Sequence, residues 1–198
     1  MDIPRLHVVT DSLEIARAAL SAGAPLIQVR VDDEVPDRAA FELSMRIAQE
    51  CDAYGAICLI NDRLDVALAV GAAGAHVGAD DLPIDVSRRI LGEQAILGAS
   101  ARTPARVREV GEYADYLGCG QVNPSFTKDV AAAVIGPAGL ADVIAAGGGI
   151  PVIAIGGITV RDVPAVLAAG AHGIAVIGAI RDAADPASAT AELLRALG

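Results

Sequence analysis

Short apolar runs with strand character alternate with segments of helical composition along the whole 198-residue chain. The apolar runs are residues 6–10, 26–31, 56–60, 75–78, 95–99, 116–122, 151–155 and 173–177. The helical segments are residues 12–22, 37–53, 65–70, 84–91, 104–111, 137–146, 163–168 and 186–197. Near-continuous Val, Ile and Leu runs joined through helices indicate a parallel sheet covered on both faces. Eight such units predict one α/β domain over residues 1–198, an eight-stranded parallel (β/α)8 TIM barrel.

Glycines separate the predicted helices from the strands that follow them. A left-handed helix C-cap is expected at four of these positions, Gly23, Gly55, Gly74 and Gly170. The rival fold, a doubly wound open sheet, requires a glycine-rich phosphate loop after the first strand. Residues 10–13, with the sequence TDSL, contain no such loop, so the barrel is favoured.

The composition excludes several classes of partner. The net charge of −10 argues against nucleic acid and anionic membranes. No apolar run approaches the roughly 20 residues needed to span a bilayer, and the N-terminus lacks the cationic region of a signal peptide, so a cytoplasmic location is expected. The cysteines at 51, 58 and 119 form no metal-binding spacing and are expected to be buried and free. A homo-oligomer is left open.

Acidic residues follow two neighbouring predicted strands. Asn61 and Asp62 end the third strand, and Asp80 and Asp81 follow the fourth. A strand-helix-strand crossover makes the two strands parallel, so both acidic clusters emerge at the same edge of the sheet. Hard oxygen ligands suit Mg²⁺, which makes Asp62 and Asp81 candidate metal ligands. The alternative, that both are turn and helix-cap residues, stays open.

Basic residues point to an anionic substrate. Gln28 and Arg30 lie two apart and therefore share one face of the second strand, where a guanidinium can bind phosphate oxygens. A structural ion pair with the next strand is the alternative for Arg30. Of 15 basic residues, Lys128 is the single lysine, and it lies in a polar loop after the sixth strand. An ammonium differs physically from a guanidinium, which favours a specific role.

Small hydroxyls and glycines occur at the remaining strand ends. Ser100 ends the fifth strand, and Ser125 and Thr127 lie in the loop after the sixth. Glycine-bearing turns follow the last two strands, at Gly157 and Gly178. In such barrels these turns frequently hold a phosphate on backbone N–H groups.

The histidines give no support for covalent catalysis, because no Ser/His/Asp or Cys/His order stands out. His7 and His76 lie within predicted strands and are expected to be hydrogen-bonded core residues. His172 lies in a helix-to-strand turn on the opposite edge and is expected to be solvated.

These residues together resemble the thiamine phosphate synthase family, whose members are (β/α)8 enzymes. The resemblance covers nearly the whole chain, and the Asn-Asp-Arg block and the Thr-Lys loop are its specific parts. The matching segments are residues 28–30, 60–63, 77–81, 98–100, 116–118, 124–128, 151–158 and 173–176.

The resemblance implies that 4-amino-5-hydroxymethyl-2-methylpyrimidine diphosphate is joined to a thiazole phosphate, giving thiamine phosphate and diphosphate. It implies Mg²⁺ on Asp62 and Asp81, and catalytic roles for Arg30, Lys128 and Ser100. The pyrimidine diphosphate would contact Gln28, Arg30, Asn61, Ser100 and Lys128. The thiazole phosphate would contact Ser125, Thr127, Gly157, Ile177 and Gly178.

Three positions depart from the family pattern. Asp32 replaces a usual lysine, so one diphosphate-binding cation becomes an anion, and Arg63 and Arg102 are candidates to replace it. Ala79 stands for a usual Gln, and Ser125 for a usual Thr. Two alternatives remain: the related thiazole tautomerase, which has a catalytic His where Arg102 stands, and a non-catalytic barrel that binds a phosphometabolite.

Overall fold

The structure, a computed structural model, describes residues 2–124 and 133–198. The strands are β1 Leu6–Thr10, β2 Leu26–Val29, β3 Ile57–Asn61, β4 Gly74–Val77, β5 Ile96–Ser100, β6 Tyr116–Gly120, β7 Val152–Ile155 and β8 Gly173–Val176. The helices are α1 Leu13–Ser21, α2 Asp37–Tyr54, α3 Leu64–Val70, α4 Ile84–Leu91, α5 Pro104–Val110, α6 Gly136–Ala146, α7 Val163–Ala168, α8 Gly178–Arg181 and α9 Pro186–Leu197.

The eight strands form a closed parallel barrel in sequence order, with β1 paired to both β2 and β8. This confirms the predicted (β/α)8 fold. Each strand is followed by a helix, so every strand ends at the same pole of the barrel. The loops at that pole are where TIM-barrel enzymes bind their substrates.

Side chains alternate between two apolar layers. On β2, Ile27 and Val29 pack outward against the helices, while Leu26 points into the lumen. The lumen cluster is built from six branched aliphatic side chains, one aromatic ring and one alanine, namely Ile3, Val9, Leu26, Leu59, Ile96, Tyr116, Ile153 and Ala175. The alternation follows from the two-residue period of a strand.

Local sequence explains where several helices begin. The Ser12 hydroxyl caps α1 by accepting a hydrogen bond from the Ile15 N–H at 3.3 Å. Thr103 caps α5 in the same way through Arg106 N–H, and Pro104 occupies the first turn. A capping oxygen satisfies one of the N–H groups that a helix start leaves without a partner.

Part of the lumen is lined by glycine. A Cβ added to Gly98 on β5 would lie 2.5 Å from His76 Nδ1 and closer still to the Tyr116 ring. A Cβ on Gly118 of β6 would lie 2.8 Å from His76 Cε1. Because Gly98 and Gly118 have no side chains, the rings of His76 and Tyr116 fit beside β5 and β6 inside the barrel.

The structure corrects two details of the sequence interpretation. Helix α8 was not predicted, because its four residues, Gly178–Arg181, are too few to show a helical period. Gly74 is not a cap: Gly71 ends α3 in the left-handed conformation with φ 68°, and Gly74 begins β4 against the Ile96 backbone. Gly55 caps α2 as expected, with φ 67°.

The pole opposite the strand ends is closed by hydrogen bonds. His172 Nε2 donates to the Ile3 carbonyl at 2.7 Å, and Arg5 Nε donates to the His172 carbonyl at 3.2 Å. His172, which was expected to be solvated, is half-buried and hydrogen-bonded at this pole. The cysteines at 51, 58 and 119 are buried and free, as predicted. No helix in residues 2–124 and 133–198 is long and apolar enough to cross a membrane.

Candidate active site

Several predicted site residues converge at the pole where the strands end. Gln28 lies on β2, Arg30 follows that strand directly, Asn61 is the last residue of β3, and Ser100 is the last residue of β5. The parallel barrel places all of them on the same side of the molecule. Ser125, Thr127 and Lys128 lie outside the described residues, so their predicted roles stay predictions.

Asp62 has an unusual backbone conformation. Its φ of 64° is in the left-handed region, which costs most residues energy but which Asp and Asn adopt more readily. Its N–H donates to the His76 carbonyl at 2.8 Å, and the Asn61 amide donates to its carboxylate. These bonds tie the end of β3 to β4 and fix where the Asp62 carboxylate lies.

Asp81 is folded back onto the end of β4. Its Oδ2 accepts a hydrogen bond from the Gly78 N–H at 2.6 Å, and a Cβ on Gly78 would lie 2.8 Å from that same oxygen. Glycine at 78 therefore makes room for the carboxylate. Neither Asp62 nor Asp81 caps a helix, since α3 and α4 begin after Arg63 and Pro83. Asp81 therefore takes part in the turn after β4, as the alternative interpretation held, and its carboxylate still lies at the pole where the strands end.

This donor set fits Mg²⁺. The strands β3 and β4 are neighbours, with Asn61 paired to His76, so both carboxylates emerge from adjacent strand ends. In the described part of the chain, no three His, Cys, Asp or Glu residues form a group that could hold a metal. Mg²⁺ is usually bound by one or two carboxylates, and water and phosphate oxygens occupy its remaining coordination positions. A site made of protein ligands alone would need more side chains than these two.

Arg30 offers an uncommitted cation at the same pole. The backbone N–H of Arg30 donates to the Thr10 carbonyl at 3.0 Å, which continues the β1–β2 pairing. Among the residues that the structure describes, its half-buried guanidinium forms no hydrogen bond and no ion pair. The structural ion pair considered as an alternative is therefore absent from the described residues.

A buried hydrogen-bond chain runs through the lumen towards Ser100. Gln28 Nε2 donates to the Tyr116 hydroxyl at 3.3 Å, which lies 3.0 Å from His76 Nδ1. His76 Nε2 in turn lies 3.0 Å from Ser100 Oγ. Burial raises the pKa of Tyr116 far above its ordinary value, so the phenol stays protonated. The sequence interpretation gave Tyr116 no role, although it is one of only three tyrosines in the chain.

The histidines within strands are hydrogen-bonded core residues, as expected. His7 Nε2 donates to the Pro4 carbonyl at 3.1 Å, and its ring meets the Tyr116 ring edge-to-face at 5.0 Å. Burial, and to a smaller extent the neighbouring His76, lower the pKa of His7 to about 3. His7 is therefore neutral at physiological pH.

The turns after the last strands lie beside the loop that follows β6. Asn123 N–H donates to the Gly156 carbonyl at 3.0 Å, and its side-chain amide donates to the Gly157 carbonyl at 3.2 Å. Gly157 has φ 61°, and a Cβ there would lie 2.9 Å from Asn123 Cβ, so only glycine fits. Ile177 and Gly178 follow the neighbouring strand β8. The two glycine turns are thus adjacent.

Arg63 and Arg102, the candidates to replace the usual lysine at position 32, are both hydrogen-bonded elsewhere. Arg63 donates to the Val35 carbonyl at 3.1 Å and pairs with Asp37, which commits it to the segment between β2 and α2. Asp32 lies exposed in that same segment. Arg102 donates to the Ala133 carbonyl, beyond the loop after β6.

The chain is similar to proteins of one family along nearly its whole length. A family model described as thiamine monophosphate synthase matches residues 4–180. Relatives named thiamine-phosphate synthase from Salinispora arenicola (strain CNS-205) and Salinispora tropica are 52% and 51% identical, with 98% of this chain and 97% of each relative covered. A solved structure described as thiamine phosphate pyrophosphorylase from Pyrococcus furiosus has a TM-score of 0.89 and 39% identity, covering 98% of this chain and 95% of that one. The chain therefore belongs to the thiamine monophosphate synthase family, and with it to the transferases of thiamine biosynthesis.

Proposed function

We propose that this protein transfers the pyrimidine methyl group of 4-amino-5-hydroxymethyl-2-methylpyrimidine diphosphate to the nitrogen of a thiazole phosphate. The supporting observation is the gathering of Arg30, Asp62 and Asp81 at one pole of the barrel. A guanidinium without a partner among the described residues can bind an anion, and paired carboxylates can bind its counter-cation.

The chemistry needs a stabilised leaving group rather than a nucleophilic side chain. The bond between the methylene carbon and the diphosphate oxygen breaks, and its electron pair leaves with diphosphate. The remaining carbocation is stabilised by the aminopyrimidine ring, and the thiazole nitrogen supplies the electron pair of the new C–N bond. Arg30 and Lys128 are proposed to donate hydrogen bonds to the diphosphate oxygens as negative charge develops there.

Mg²⁺ would be held by Asp62 and Asp81 and would supply charge neutralisation to the diphosphate. Asn61 positions Asp62 through its amide. Gln28 and Ser100 are proposed to orient the pyrimidine diphosphate at the top of the lumen. The apolar side chains below them keep water away from the carbocation, which would otherwise be hydrolysed.

The thiazole phosphate is proposed to bind the turns after β7 and β8. Gly157 is exposed, and Ile177 and Gly178 stand at the start of the short helix α8. Ser125 and Thr127 would add hydroxyl donors from the loop after β6, which begins beside Gly157. Adjacent strand ends then hold the two substrates side by side, as a transfer between them requires.

The test is an assay of diphosphate release by the purified protein with both substrates and Mg²⁺. Release that requires thiazole phosphate supports the synthase, whereas isomerisation of the thiazole alone selects the tautomerase. Binding without either reaction selects the non-catalytic barrel. Arg30→Gln is expected to lower the rate about 100-fold, by analogy with the loss of one transition-state donor. Arg17→Gln is the matched control, because Arg17 pairs with Glu50 on the outer helices.

A further inference from the structure

We propose that Tyr116 and His76 are positioning residues that fix the direction of the Ser100 hydroxyl, so that it donates its hydrogen to the bound pyrimidine diphosphate. This inference rests on the proposed function for the identity of the ligand. The orientation itself follows from the hydrogen-bond chain in the lumen and can be measured without substrate.

The direction of the chain is set at its buried end. Gln28 donates an amide hydrogen to the Tyr116 oxygen, so the single phenolic hydrogen is available to a different acceptor. His76 Nδ1, at 3.0 Å, is the acceptor within reach. A nitrogen that accepts this hydrogen carries none of its own, so a single proton on the His76 ring then lies on Nε2.

The proton on His76 Nε2 determines what Ser100 does. Nε2 lies 3.0 Å from Ser100 Oγ, so the imidazole donates and the serine oxygen accepts. The hydroxyl hydrogen of Ser100 is then directed away from His76. Because Ser100 is the last residue of β5, this hydrogen faces the pole where the substrate is proposed to bind. The chain ends in a preorganised donor, which suits the oxygens of a diphosphate.

The surrounding strands are shaped to hold this chain. Gly98 and Gly118 leave no space for a Cβ beside the two rings. Tyr116 is 1% exposed and His76 9%, so water does not compete for their hydrogen bonds. The His76 and Tyr116 rings lie 5.5 Å apart at their centroids, and the His7 ring meets the Tyr116 ring edge-to-face. The Tyr116 ring therefore packs directly against β5 at Gly98, and the His76 ring packs against both Gly98 and Gly118.

The first test is the tautomer of His76 in the ligand-free protein, measured by ¹⁵N-¹H correlation of the imidazole nitrogens. The chain has three histidines, so His7→Gln and His172→Gln variants assign the spectrum by elimination. We expect the proton of His76 on Nε2 in the wild type and a mixture of tautomers in Tyr116→Phe. A wild-type ring protonated on Nδ1, or on both nitrogens, overturns the proposal whether or not the enzyme activity is as proposed.

The second test is a double-mutant cycle on kcat for diphosphate release. Tyr116→Phe keeps the ring and removes only the hydroxyl, so we expect a roughly tenfold fall in kcat, equivalent to one hydrogen bond. In a Ser100→Ala background the same change should lower kcat less than about twofold, since the hydroxyl to be oriented is gone. A further tenfold fall there would overturn the proposal and assign Tyr116 a general structural role. Tyr54→Phe, on an exposed helix end, is the control.

Discussion

Replacing Gly98 with alanine should damage the protein out of proportion to the single methyl group added. The new Cβ would lie 2.5 Å from His76 Nδ1 and closer to the Tyr116 ring, well inside van der Waals contact. Both rings are buried against strands that cannot yield independently. The rings must therefore shift, and the shift breaks the hydrogen bond between them.

The expected cost combines two effects. Overpacking a core typically costs about 1–3 kcal/mol, and the lost buried hydrogen bond adds about 1 kcal/mol. We therefore expect Gly98→Ala to lower the free energy of unfolding by about 2–4 kcal/mol. In a domain of this size each kcal/mol lowers Tm by roughly 2–4 °C.

Urea denaturation followed by circular dichroism measures this free energy, and Gly147→Ala provides the control. Gly147 has φ −70°, which suits alanine, and the nearest atom to an added Cβ is 3.3 Å away. The control should unfold within about 1 kcal/mol of the wild type. If Gly98→Ala also unfolds within about 0.5 kcal/mol of the wild type, the lumen is not tightly filled and the reasoning on the two rings fails.

Three further results are expected. Asp62→Asn and Lys128→Ala should each lower turnover about 100-fold or more at an unchanged Tm, and wild-type rates in either variant would remove that residue from the mechanism. Asp32→Lys should lower the KM for the pyrimidine diphosphate, because it returns a cation to the β2–α2 segment; an unchanged KM would show that this segment does not approach the substrate. Burial lowers the pKa of His7 to about 3 from 6.5, so the unfolded chain binds a proton below pH 6.5 that the native state excludes. As the pH falls from 6.5 to 3, the free energy of unfolding should therefore fall by up to about 1.4 kcal/mol per pH unit. His7→Gln should lack this contribution. If urea titrations at pH 7 and 4.5 show the same loss of unfolding free energy in the wild type and in His7→Gln, the prediction is contradicted.

The order of elements could be predicted because each unit of this fold is local in sequence. The predicted limits of α4, α7 and α9 match the structure, since their apolar residues keep a helical period up to a glycine, proline or aspartate. The placement of Asp62 and Asp81 at one pole followed from the parallel crossover alone. In a closed barrel of such units the strand order follows the chain order and the crossovers are right-handed, so neither has to be worked out from contacts between distant residues.

The side-chain partners could not be predicted, because they join residues distant in sequence. Arg63 was a candidate for the diphosphate site but binds the Val35 carbonyl and Asp37. Tyr116 meets Gln28 and His76 across the lumen, 88 and 40 residues away. Gly98 in β5 and Gly118 in β6 leave space for a bulky neighbour, but the sequence does not say which ring fills it.

The lumen is mostly aliphatic, but at Gly98 and Gly118 bare backbone faces the rings of Tyr116 and His76. The two rings and these glycines are coupled sterically, since a Cβ at either glycine would clash with a ring. Moving His76 and Tyr116 to another barrel would accordingly require exchanging β4, β5 and β6 together, because the two rings alone would clash with the side chains that replace Gly98 and Gly118.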